Sequence, residues 1–263
     1  MRNRGKALGW GIALAAVAAV VTAGTVYAGT GSSAPESAIK TTLSMEQMRS
    51  VLVPLAEQPE TRFVRGPMTL KQAAAENAFV APPTMIFKPQ SCATYLSDVL
   101  GGLDTRDGWI QFGSRVHKDH NDNFIQAVVT IPGGADLNKI REAAATCTTG
   151  TLTLEGQVSK GRAVRAVGDI TYTERSAPVI EGAKTLALTG RTVFHEQAGS
   201  DGLELVKQYE MPPDAQLLVD GDQECVANST IATAGDTLVL VVESDVDLSN
   251  DLTAAMFNNV RKA

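Results

Sequence analysis

The sequence predicts an α+β domain, a mainly antiparallel sheet with helices packed on it, preceded by an N-terminal signal or transmembrane helix. Three observations predict this. Strands of period-two hydrophobicity alternate with amphipathic helical stretches along the chain. Turn-forming Gly, Pro, Asn and Asp clusters separate them. The first 28 residues carry a basic head and a long uncharged apolar stretch before any acid occurs.

The N-terminal segment sets the compartment. Arg2, Arg4 and Lys6 precede Ala7–Ala28, which has no charged side chain. This is the pattern of an export signal, and Val26-Tyr27-Ala28 offers a cleavage site after Ala28. An uncleaved membrane anchor fits as well, because about 20 apolar residues can span a bilayer. Both place the remainder outside the cytoplasm, since flanking positive charge stays inside. Membrane contact is expected only through residues 7–28. Residues 29–42 (GTGSSAPESAIKTT) form a flexible spacer rich in Gly, Ser, Pro and Thr. Residues 43–263 are the folded domain.

Within that domain, Ser44 and Gln47 form a capping box that starts a helix. Met45, Met48, Leu52 and Leu55 share its apolar face, and Pro54 ends it. A second helix is expected over Thr69–Ala78, before a break at Ala81-Pro82-Pro83. Cys92, Tyr95, Leu96, Val99 and Leu100 fall in one helical arc that Gly101-Gly102 terminates. Strands follow at Trp109–Val116 and Phe124–Ile131, the second with Ile125, Ala127, Val129 and Ile131 on its core side. Pro132-Gly133-Gly134 closes it.

The helix Ala135–Thr146 then presents Leu137, Ile140, Ala144 and Cys147. In Thr151–Val158, Leu152, Leu154 and Val158 alternate with Thr151, Thr153, Glu155 and Gln157, so one side is buried and the other wet. Further strands are expected at Ala163–Tyr172, Thr185–Phe194, Leu203–Tyr209, Gln216–Val219 and Cys225–Ile231. Leu238–Val242 (LVLVV) is an unbroken apolar run, as in a central strand covered on both faces. A last helix, about Asn250–Arg261, is capped by Ser249 or Asp247, with Arg261 and Lys262 at its C-terminal end. A division into two subdomains near Ser176-Ala177-Pro178 is the alternative to one domain.

Three cysteines in an exported chain allow one bridge and leave one thiol. Cys92 and Cys147 each lie on the apolar side of a short helix, flanking a two-strand unit, and are the expected pair. Two unpaired core cysteines are the alternative. The bridge would close a loop of 55 residues and contribute about 4 kcal/mol in the chain-entropy account. Cys225 reads as a buried inert thiol beside Ala227 and Ile231.

Charge and motifs exclude several functions. The chain has a net charge of −6. Removing residues 1–28 takes away three basic and no acidic side chains, leaving −9. Such a surface does not suit nucleic acid or broad contact with anionic lipid. His117-Lys118-Asp119-His120-Asn121-Asp122 holds potential metal ligands but has the composition of a hairpin loop. Asp245-Val246-Asp247-Leu248-Ser249-Asn250-Asp251 begins like a calcium loop but has Asn250 and Met256 where Gly and Glu are required. Helix capping accounts for it, and a hairpin turn accounts for Asp220-Gly221-Asp222. No nucleophile elbow, zinc-protease, P-loop or dinucleotide signature occurs. No catalytic, cofactor or metal residue is expected.

The order of features resembles the extracellular sensor domain of the actinobacterial serine/threonine kinase H, together with related stand-alone envelope proteins and lipoproteins. The matching features are the helix after Thr42, Pro82-Pro83 ahead of Cys92, and the strand ending at Ile131. Pro132-Gly133-Gly134-Ala135-Asp136, the helix reaching Cys147 and the strand Gly235-Asp236-Thr237-Leu238-Val239-Leu240-Val241 complete the match, over about residues 43–262. The resemblance implies an α+β fold with a ligand cleft, a binding or sensing role outside the cell, and no catalytic residues. The expected partner is a small molecule, a lipid or an envelope protein; a structural or assembly role beside a membrane complex is the alternative. Two departures stand out. The sensor domain resembled has two disulfides, whereas only Cys225 remains here for a second. No kinase is expected to accompany the domain, so a signal is expected to pass through a partner.

Overall fold

The computed structural model describes residues 42–54, 61–76, 85–93, 102, 105–117, 120–158, 162–195 and 223–263. The expected signal or anchor, Ala81-Pro82-Pro83, the helix beyond Ala93, Leu203–Tyr209, Gln216–Val219 and Asp220-Gly221-Asp222 lie outside the described residues.

In chain order the elements are α1 (Met45–Val51), β1 (Thr61–Thr69), α2 (Leu70–Ala75), β2 (Met85–Lys88), β3 (Gly108–His117) and β4 (His120–Thr130). They continue as α3 (Leu137–Ala145), β5 (Gly150–Val158), β6 (Arg162–Arg175), β7 (Lys184–Phe194), β8 (Gln223–Ala234), β9 (Thr237–Glu243) and α4 (Val246–Lys262). All nine strands join one sheet in the order β1-β3-β4-β9-β8-β7-β6-β5-β2, and every neighbouring pair is antiparallel. Ser176-Ala177-Pro178 lies in the connection between the adjacent strands β6 and β7.

Sheet connectivity explains where the core sits. Tight hairpins link β3 to β4, β5 to β6 and β8 to β9, whereas β4 and β5 are separated by four strands. The chain crosses that distance through α3, whose Leu137, Ile140 and Ala144 are buried. On this first face α3 and α2 cover a core containing Phe112, Ile125, Ala127, Val129, Leu152, Leu154, Leu186, Leu188, Leu238 and Leu240. On the second face α1 and α4 cover Val128, Ala232, Val239 and Val241, with Met48, Val51, Met256, Phe257 and Val260 facing them. Every residue of β9 is buried, as the LVLVV run requires.

The capping box read from the sequence holds at α1, and α3, which spans Leu137–Ala145 within the expected Ala135–Thr146, is capped by Asp136. Ser44 and Gln47 make the reciprocal box, and Asp136 accepts from the N–H groups of Asn138 and Lys139. Gly133 and Gly134 have φ of 83° and 82°, a left-handed conformation that glycine adopts without a Cβ penalty. They turn the chain from β4 into α3.

Four details differ from expectation. First, α4 begins at Val246 with Asp245 as its cap, accepting from Leu248 N, so neither Ser249 nor Asp247 caps it. Ser249 lies inside the first turn and uses its hydroxyl to dock on the sheet. Second, Thr153 is only 5% exposed, although its alternation placed it on the wet side. Third, α2 ends at Ala75, short of Ala78. Fourth, β1 and β2 form the two edges of the sheet and were not foreseen. β1 contains Gly66-Pro67 and register irregularities, while β2 is four residues long. Both lack the alternation that marks an interior strand, and such features keep sheet edges from pairing with other chains.

Cys92 and Cys147 are bonded, with Cα atoms 5.3 Å apart. The bridge ties the segment after β2 to the end of α3. Both half-cystines are fully buried, and the Tyr172 hydroxyl donates to the Cys92 carbonyl at 3.3 Å. Gly150 leaves room for them, since a Cβ there would lie 2.9 Å from the Cys92 sulfur. Replacing both cysteines by serine is expected to lower unfolding free energy by about 4 kcal/mol, measured by urea denaturation of oxidised and double-variant protein. Separately, a Cβ at Gly113 would fall inside the Phe124 ring. Gly113→Ala should therefore cost about 1–3 kcal/mol, and Phe124→Leu in that background should recover part of the loss.

Candidate functional site

The second face changes character along its length. Under α1 and α4 it is apolar. Further along, toward the N-terminal end of α4, it carries a row of buried polar side chains. Register places Gln111 opposite Gln126, Gln126 opposite Val241, and Asn228 opposite Glu243. Gln111, Gln126, Asn228, Thr230 and Glu243 are all 2% exposed or less.

This band holds two pieces of chain in place. Val53, just beyond α1, donates its N–H to Gln126 Oε1 at 3.1 Å and accepts from Gln111 Nε2 at 2.9 Å. Gln111 Nε2 also donates to Gln126 Oε1, at 2.9 Å. The two amides therefore hold the Val53 backbone through both its N–H and its carbonyl. α1 is fixed further by Trp109 Nε1 donating to the Met45 carbonyl at 2.7 Å, with the Arg49 guanidinium 5.2 Å from the Trp109 ring centre. Gln47 Nε2 donates to the carbonyl of Ala263, so the start of the domain meets the end of the chain.

The second piece is the first turn of α4. Arg175 reaches from β6 to donate to Asn250 Oδ1 at 2.8 Å, Thr230 Oγ1 at 2.5 Å and Ser249 Oγ at 3.4 Å. Burial lowers the guanidinium's pKa and the Asp247 carboxylate partly offsets this. Asn228 accepts from Thr189 Oγ1 and donates to the Ser244 carbonyl, at 2.7 and 2.6 Å. Gln126 Nε2 and Arg175 Nε are buried with no hydrogen bond. Buried donors seldom stay unpaired in proteins, which marks this band as the candidate site.

The residues singled out from sequence fall elsewhere. Cys92 and Cys147 form the bridge on the first face. His117 and His120 are paired positions at the end of the β3–β4 hairpin. Asp245 caps α4 and Asp247 lies in its first turn. Cys225 lies on β8 opposite Thr192. Among the described residues no group of three His, Cys, Asp or Glu side chains is placed to hold a metal. His195 Nε2 and Asp169 Oδ2 are 2.8 Å apart, on an exposed stretch of β6 and the end of β7.

Sequence reasoning missed the band entirely. Its signal was present: Gln111 interrupts Trp109-Ile110-Gln111-Phe112, Gln126 interrupts Phe124-Ile125-Gln126-Ala127-Val128, and Glu243 ends the LVLVV run. A polar residue inside an apolar strand must either be paired in the core or serve a site.

The class the fold defines is an α+β domain with one antiparallel sheet, helices on both faces and a disulfide. Among solved structures the chain is similar to the extracellular domain of PknH from Mycobacterium tuberculosis, the sensor domain that its sequence pattern resembles. Identity is 12%, coverage 84% of this chain and 98% of that one, and the TM-score 0.47. It is also similar to an uncharacterized protein of Mycobacterium smegmatis, the Rv0999 ortholog, at 12% identity, 85% and 100% coverage and a TM-score of 0.42. Neither the family models nor the curated proteins contain a match.

On the first face, Arg141 of α3 pairs with Glu174 of β6 at 2.6 Å. The hydrogen bond from Arg141 holds the Glu174 carboxyl below its ordinary range. The pair's contribution is complete above the ordinary carboxylate value of 4.5 and is lost as pH falls through the depressed value. Both side chains are partly exposed and solvent screens the pair, so Glu174→Gln should lower the melting temperature only slightly at neutral pH. The difference from wild type should vanish in acid, as thermal melts at several pH values would show.

Proposed function

We propose that this chain is a non-enzymatic extracytoplasmic domain of the cell envelope that binds or senses a partner. The observation that carries this is the buried Cys92–Cys147 disulfide. Such bridges persist where thiols oxidise, and the basic and apolar N-terminal residues supply a route to that compartment. The polar band on the second face supports binding: its donors are already fixed in orientation, and Gln126 Nε2 is uncommitted.

A rival role in assembly would act through a contiguous apolar surface. The exposed large apolar side chains among the described residues are Ile86, Val179, Val226 and Val246. They lie on β2, the β6–β7 connection, β8 and α4, and no observation favours that reading. Catalysis would need a nucleophile and base converging in a cleft, and no such pairing among the described residues supports it.

Purification of the native protein from envelope extract, followed by native mass spectrometry, tests the proposal. The expected result is a bound small molecule, lipid or envelope protein on chains whose Cys92 and Cys147 are oxidised. The mature chain is expected to begin at Gly29 or to retain its Met1 end in the membrane fraction. Recovery from the cytosol with reduced thiols would sink the reading.

A further inference from the structure

We draw no further inference here: the strongest candidate, the exposed surface patch of Glu155, Arg165, Asp169 and Thr173 on the second face of β5 and β6, carries nothing, because nothing in the structure shows what covers it.

Discussion

The insertion of β9 between β4 and β8 is the constraint on which the rest of the molecule depends. It joins β1-β3-β4 to β8-β7-β6-β5-β2, and without it neither part has a partner for its inner edge. The strand can occupy that place because Leu238, Val239, Leu240, Val241 and Val242 are apolar on both sides. Each such side chain is worth about 1.5–3 kcal/mol when fully buried. Residues 238, 240 and 242 feed the core under α2 and α3, and 239 and 241 the core under α1 and α4. β9 follows β8 in the chain and pairs with it on one side and with β4 on the other. The β8–β9 hairpin brings it in, across the turn at Gly235-Asp236. Asp236 then ties that turn to the connection between β4 and α3 by accepting from Gly133 N.

The disulfide and β9 solve different parts of the same problem. β9 holds the two parts of the sheet together by burial and ladder hydrogen bonds. The bridge fixes the element that must travel farthest, α3, to the segment after the edge strand β2. A crossover spanning four strands has a large loop entropy, and a covalent link near its end removes much of it from the unfolded chain. The sulfurs, Tyr172 and Gly150 form one packed unit, which explains why a glycine begins β5.

Legibility in the sequence followed from how local each signal was. The capping box at Ser44 and Gln47, the alternation in Phe124–Ile131, the Pro132-Gly133-Gly134 break and the LVLVV run depend on neighbours in the chain, and all were readable. The cysteine pairing was readable because both residues fell in the apolar arcs of expected helices, flanking a two-strand unit. The edge strands were not: β1 carries Pro67 and bulged register, and β2 has too few residues to show a period. The polar band was hidden for a further reason. Gln111, Gln126, Asn228 and Glu243 come from four strands, and their adjacency exists only in the register of β3, β4, β9 and β8. From the sequence, each was one polar residue among many on a surface of unknown orientation.

The same limit explains the start of α4, and with it how the band is built. Ser249 has the composition of a cap, and so does Asp247, but the helix extends one turn further to Asp245. Ser249 is then free to bond Thr230 and the Asn228 carbonyl, and Asn250 to receive Arg175. A guanidinium beside a helix N-terminus opposes the helix dipole, so its placement needs compensation. Asp245 as the cap and Asp247 in the first turn supply the opposite charge. Arg175 thereby joins β6, β8 and α4 at the margin of the band, with its reach across Ala187 of β7 made feasible by that small side chain. The acids that resembled a calcium loop are thus the electrostatic counterpart of a half-buried arginine that no local pattern could reveal.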